Sequence, residues 1–283
     1  MANGAVQYAF TGSTYTTPVG YVVGGEWGDN ANPITIEGIG GAGVIVGGPT
    51  QAECSLEVAP VDANGLLDKI LRTTAGTYGG YPAGEPPAFK LHVGDDADGL
   101  YLATWQVASA GINFAVGDVL KVSYKLIGTG KPTRGVNANT YTVPQTPFVW
   151  HDGSVQIDSG NAEVTACELS IENGLAAYHT LNAKSENSRR WNDGCDSGSE
   201  IITCNLTLRE NPGHELDEDE LEEADIVLTA VNTAKSPLTV TFTLSNAKPT
   251  VQNTRLVPAS SQREWTVTYN ANPNEGALTI TVA

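Results

Sequence analysis

Positive charge is what this chain has least of. Among 283 residues, fifteen lysines and arginines face thirty-two aspartates and glutamates, a formal net charge of −17. A surface of that sign does not grip phosphate and repels DNA, which excludes a nucleic-acid-binding role. Cysteine is scarce as well. Cys54, Cys167, Cys195 and Cys204 form no CxxC and no dense framework, so free thiols are expected, with Cys54 and Cys204 acting as small buried hydrophobes. A pairing of Cys195 with Cys204 is sterically possible. No apolar run approaches the roughly 18 residues of a membrane span. The opening MANGAVQYAFTG lacks a basic leader and an apolar core, so cytoplasmic synthesis is expected. There is no Walker A motif, no GxGxxG before a helix, no HExxH and no paired CxxC. No catalytic residue, cofactor or metal is therefore expected.

What the chain has is short strand patterns. ITI, GVIV, CSLEV, FKLHV, LYLATWQV, VLKVSYKL, SVQI, EVTACELSI, EIITCNLTL, ADIVLTAV, LTVTFTL, EWTVTYN and ALTITV alternate with Gly, Pro and Asn clusters. That spacing marks an all-β sandwich or barrel with one or two short helices. Alternation is strict in several runs. Leu120, Val122, Tyr124 and Leu126 oppose Lys121, Ser123 and Lys125, and Leu238, Val240, Phe242 and Leu244 oppose Thr239, Thr241 and Thr243. Each such sheet has a greasy face and a wet, Thr-rich face, the antiparallel pattern; the wet face meets bulk solvent or a water-filled bore. Two helices are expected. One is NGLLDKIL (64–71), with Leu66, Leu67, Ile70 and Leu71 along one side; the other is HELDEDELEEADIVL (214–228), with Leu216, Leu221 and Ala224 as its stripe and a solvated acidic face.

The strand blocks recur in order. Cys54, Leu56 and Val58 match Cys204, Leu206 and Leu208; Trp105 falls opposite Phe242, Val122-Ser123-Tyr124 opposite Val267-Thr268-Tyr269, and Ile36 opposite Ile171. Drifting offsets are what loop insertions do to a duplicated unit. The organisation expected is an N-terminal arm or edge segment (1–30) suited to swapping onto a neighbour, a first β unit (31–130), a linker (131–147) and a second β unit (148–283).

Three motifs look like chemistry and fall short of it. DGCDSGSE (193–200) is close to a serine-protease nucleophile loop, but Cys195 and Ser199 stand where glycines belong and no suitably placed histidine exists. GDDADG (94–99) places Gly94 and Trp105 where a calcium loop needs Asp and Glu, so a hairpin turn is expected. NLT (205–207) is a glycosylation acceptor in form, set inside a strand pattern.

The order SLEV, GLLDKIL, YLATWQV, GDVLKVSY, ELSIENGL, EIITCNLTL and WTVTY, over about residues 50–283, resembles the tail tube proteins of long-tailed bacteriophages, in forms with two tube-like units per chain. The resemblance implies tandem, pseudo-repeated β-sandwich or barrel units whose sheets join edge to edge around a channel. Three two-unit chains then make a ring of six units, and rings stack into the virion tail tube through which DNA passes without specific binding. It also implies other tail proteins as partners, a tape measure and a tail terminator among them, and no membrane. On that basis Glu57, Gln106, Ser123, Thr203, Asn205, Thr207, Thr239, Thr241, Thr243, Thr266 and Thr268 are candidates to line the bore. Lys121, Lys125 and Arg209 sit awkwardly there and are expected either to meet acidic neighbours or to lie near the interface between units. Long loops at 74–89 and 182–200 offer Tyr78, Tyr81, Phe89, Arg189, Arg190 and Trp191 as ring-to-ring anchors. The alternative from another class is a β-sandwich carbohydrate-binding or adhesin-like module, to which loop tyrosines and tryptophans are suited.

Overall fold

A computed structural model describes residues 8–12, 17–31, 34–37, 43–46, 49–61, 66–71, 85–95, 99–135, 146–161, 163–179, 192–209, 223–233, 238–252, 264–271 and 278–283. The first half supplies β1 (Tyr8–Thr11), β2 (Thr17–Pro18), β3 (Tyr21–Ala31), β4 (Ile34–Glu37), β5 (Gly43–Val46), β6 (Thr50–Ala59), β7 (Phe89–Asp95), β8 (Gly99–Ala115) and β9 (Lys121–Gly135). The second supplies β10 (Gly153–Ile157), β11 (Gly160–Asn161), β12 (Val164–Glu172), β13 (Leu175–Tyr178), β14 (Gly194–Ser197), β15 (Ile201–Arg209), β16 (Ala224–Asn232), β17 (Leu238–Gln252), β18 (Glu264–Ala271) and β19 (Leu278–Val282). Two hairpins, β4–β5 and β13–β14, stand apart; every other strand belongs to one 15-stranded antiparallel sheet.

That sheet has no helix to cover its apolar face, because the described residues contain no α-helix. It covers itself. Leu56, Ile112, Val122, Ile171 and Leu206 share one buried cluster with Leu228, Val240, Phe242 and Val267. Strands turn the corner between layers where their ladders slip: β8 against β9 between Leu102 and Thr104 and again between Val107 and Ser109, and β17 against β18 between Pro249 and Val251. Bulged corners of this kind let one strand serve two layers of a sandwich. At the first corner β9 comes close to its neighbours at Gly128, where a Cβ would sit 2.8 Å from that of Ala52 and 3.1 Å from the Trp105 ring. A side chain has no room there.

One helix expectation gives way, and the other gives way over its last residues, 224–228. Leu66 takes a left-handed backbone (φ 64), which ends helical propagation before it starts, and only Leu67–Lys69 form a single 3-10 turn. Leu66, Leu67, Ile70 and Leu71 are instead all buried in the common core. Asn173 fastens this plug: its Nδ2 donates to the carbonyls of Ile70 (2.8 Å) and Val107 (2.9 Å). In the acidic segment, residues 214–222 lie outside the described residues, and the chain that follows is β16. There Ala224, Ile226, Leu228 and Ala230 are buried while Asp225, Val227 and Thr229 are not, so period two wins over the helical period.

The supposed arm, 1–30, holds β1, β2 and most of β3, and among the described residues β3 has one strand neighbour, β6. That fits an edge segment rather than a detached arm. The segment read as a linker starts inside β9, whose last residues are 131–135; residues 136–145 lie outside the described residues. The alignment of Ile36 with Ile171 fails, since β4 pairs only with β5 whereas β12 lies between β8 and β15 in the main sheet. GDDADG is bounded by Asp95 opposite Gly99, the closing pair of the β7–β8 hairpin. NLT lies within β15.

Candidate assembly surfaces

Strand register carries polar side chains across the long layer β3-β6-β9-β8-β12-β15-β18. One row runs Gly24, Glu57, Ser123, Gly111, Ser170, Thr203 and Asn270. The next runs Lys121, Asn113, Glu168, Asn205 and Thr268, and a third joins Ala166, Thr207 and Thr266. Glu57, Ser123, Thr203, Asn205, Thr207, Thr266 and Thr268 are thus brought together on one face, above the buried side chains that alternate with them. Thr268 Oγ1 donates to Asn205 Oδ1 at 2.8 Å, one of the cross-strand pairs that hold such a face in register. Over β6, β9, β8 and β12 the face dips into a hollow of about 560 Å³, because its floor is Gly24, Gly111, Ser123 and Ser170. Glu57, Glu172 and Lys125 border it.

Carboxylates outweigh amines on this face: Glu26, Glu57, Glu168 and Glu172 against Lys121 and Lys125. Lys121 is already matched, its Nζ lying 2.6 Å from Asp118 Oδ2. That hydrogen bond, helped by the Val119 amide, holds the Asp118 carboxyl below its ordinary range, and the same bond raises Lys121. Arg209 stands opposite Glu264 in the β15–β18 register. Lys125 stands between Ser55 and Ser109.

Thr239, Thr241 and Thr243 fall elsewhere. They lie on the outer face of the layer β10-β16-β17-β19, where Ser154, Thr229, Thr241 and Thr281 form one row and Gln156, Val227, Thr243 and Thr279 another. Neither row holds a charged side chain.

Two expectations are corrected by burial. Gln106 is 5 % exposed, and its Nε2 donates to Glu85 Oε2 and to the Pro86 carbonyl, both at 3.0 Å. The strand alternation there is right, but residues 85 and 86 lie over the wet side of β8, so the residue faces protein. Phe89 is a core residue at 7 % exposure, in the same cluster as Trp105, not a loop anchor. Tyr78, Tyr81, Arg189, Arg190 and Trp191 lie outside the described residues.

The cysteines are four buried free thiols. Burial pushes the Cys54 thiol up to about 12 and Cys195 up to about 11. Cys204 approaches Cys167, with sulfurs 4.0 Å apart, rather than Cys195. The contact with Cys204, then burial, raises the Cys167 thiol. Inert, protonated sulfur packed in a core is not a nucleophile. Cys195 and Asp196 belong to β14, which pairs with β13, so the segment compared with a protease loop is largely a hairpin strand. Among the described residues no cluster of histidine, cysteine or carboxylate is arranged to hold a metal, and no helix is long and apolar enough to cross a membrane.

The described surfaces are the faces and edges of a self-covering antiparallel β-sheet. The chain belongs to the phage tail tube protein family, whose profile matches residues 2–277. It is accordingly a structural component of a phage tail. No curated protein sequence matches it.

Proposed function

We propose that copies of this chain close into rings, that the rings stack into the tail tube, and that the long polar face of β3-β6-β9-β8-β12-β15-β18 lines the bore through which DNA leaves. The observation that carries this is the continuity of that face: three rows built mainly of Ser, Thr, Asn, Gly and Glu cross it between β6 and β18, and Ile201, on the adjoining row through Lys125, Ser109 and Glu172, is the large apolar side chain exposed there. A duplex carries one phosphate charge per about 1.7 Å, so it adheres to a basic wall and slides past one with excess carboxylate. The floor of small side chains keeps the passage wide. Thr239, Thr241 and Thr243, on the uncharged layer, then belong to the outside of the tube. Lateral joining of sheet edges supports a closed assembly, because it satisfies the open row of amides and carbonyls that an edge presents. With two units per chain, three chains make the ring. A tape measure protein inside the bore and a terminator at its end are the partners this reading expects.

Labelling tests it. Tubes of Ser123→Cys and Thr281→Cys variants are treated with a polymer-linked maleimide too large to enter the bore. Thr281→Cys reacts in the free chain and in the tube, whereas Ser123→Cys reacts only in the free chain. Equal labelling of Ser123→Cys in both states, or discrete monomers by electron microscopy, overturns the reading.

A further inference from the structure

The two halves of the sheet have the same strand order, β3-β6-β9-β8-β7 and β12-β15-β18-β17-β16. Their irregularities agree as well. Trp27 stands opposite Cys54, and Leu169 opposite Cys204; aligning these pairs places the bulge between Val22 and Gly24 on the bulge between Val164 and Ala166. Continuing through Leu126, opposite Cys54, and Tyr269, opposite Cys204, brings Val107 onto Pro249. The bulge between Val107 and Ser109 then falls on the bulge between Pro249 and Val251. Bulges cost a ladder its regularity and re-aim the strand, so two of them at matching places in matching strands are not produced by strand alphabet alone.

The correspondence is partial: the bulges between Leu102 and Thr104 and between Ala224 and Ile226 have no matching bulge in the other half, and a further difference lies at the sheet edges. Past its bulge, β8 pairs on its second side with β12: Ser109 opposite Glu172, Ala110 opposite Ile171, and on to Ala115 opposite Ala166. This seam joins the two halves of one chain. The matching positions are Val251 and Gln252 at the end of β17, and Asn30 and Asp29 in β3. Among the described residues of one chain β17 and β3 do not pair, and β3 has β6 as its one strand neighbour.

We propose that β3 of one copy pairs antiparallel with the end of β17 of the next copy, with Asn30 opposite Val251 and Asp29 opposite Gln252, repeating between chains the β12–β8 seam within each chain. The inference rests on the tail tube reading and names the contact by which its rings close. The contact is heterologous: one edge meets a different edge on the next copy, which closes into a ring when the rotation between copies divides the circle. The internal seam fixes that rotation. A neighbour docked as β12 docks on β8 is turned about the bore as the second half is turned from the first.

Cross-linking within assembled particles tests it. Antiparallel partners stand about 4.5–5.5 Å apart between Cα atoms, within disulfide range. The native thiols are buried and stay out of the reaction. Asn30→Cys combined with Val251→Cys, oxidised with excess oxidised glutathione, gives covalent dimers and trimers on a non-reducing gel and nothing larger. Each single variant stays monomeric. Ser109→Cys combined with Glu172→Cys is the control, closing a disulfide within one chain. If the control closes and tubes form while the Asn30–Val251 pair gives no inter-chain bond, the seam is wrong and the tail tube reading stands. If the unmodified chain forms neither rings nor tubes, both fall.

Discussion

The half of the molecule built on β6 and the half built on β15 share a strand order and meet different surroundings. In the second, β12 lies between β15 and β8, a strand inside a sheet. In the first, the strand at the corresponding place, β3, has β6 alone among the described residues. The corners differ too. Trp105, 1 % exposed, fills the first, and Gly128 gives way to it, whereas the register of the second half puts Ala247 at the matching place. The plug Leu66–Leu71 and its clasp Asn173 belong to the first corner. The comparison separates what a tube unit needs, namely strand order and bulge positions, from what this chain uses to weld two of them into one body.

The most damaging way to probe that weld is to empty the shared core beneath either half. Trp105→Ala and Phe242→Ala each lower stability by about 3–5 kcal/mol. Because both side chains belong to one core cluster, thermal unfolding followed by far-UV and near-UV circular dichroism remains a single transition in both variants. Two separated transitions show that the halves are independent domains and break the comparison. Next comes the clasp. Asn173→Ala leaves the Ile70 and Val107 carbonyls without that donor, at about 1–3 kcal/mol for each buried acceptor left unmatched. Urea titration checks this, and a loss under 0.5 kcal/mol, about the low end of a net hydrogen bond, removes the clasp from the account.

Alkaline behaviour sharpens the contrast more gently. Cys54, in β6, has its thiol raised to about 12, so the folded chain holds a proton that the unfolded chain gives up near the ordinary thiol value of 9.0. The associated stability is complete below that value and is lost as pH rises towards 12. Cys54→Ala flattens the fall of melting temperature between about pH 9 and 11, the window in which an unfolded thiol ionises; an unchanged slope assigns the alkaline limb to other groups. The smallest effect lies on the polar face. Thr268→Val removes the hydrogen bond to Asn205 and costs about 1 kcal/mol or less, read from the urea midpoint. A larger loss shows that the face is held by its cross-strand network more than by the core beneath.

Period-two alternation made the all-β class legible, and with it the inward and outward sides of β9, β15 and β17. The wet-face residues of β6, β9, β15 and β18 fall where alternation put them. Alternation does not report what lies over a face. Gln106 has the right parity and the wrong environment, since Glu85 and Pro86 approach it from some twenty positions away in the chain. Nor does it report backbone hand: the pattern of Leu66, Leu67, Ile70 and Leu71 suits a helix, and a left-handed residue at its start turns it into a plug. The likeness between the strands that carry Cys54 and Cys204 was visible in the letters. Its register was not, because Trp105 and Phe242 match in size while the bulges that fix the alignment leave no mark in the letters.

β8 is gripped along one side by β9 and along the other by β7 and then β12. A pull on any of these neighbours is shared among ladders that must shear together instead of peeling one bond at a time. In the tube proposed above, walls made of such strands would resist stretching and kinking as a woven sleeve does.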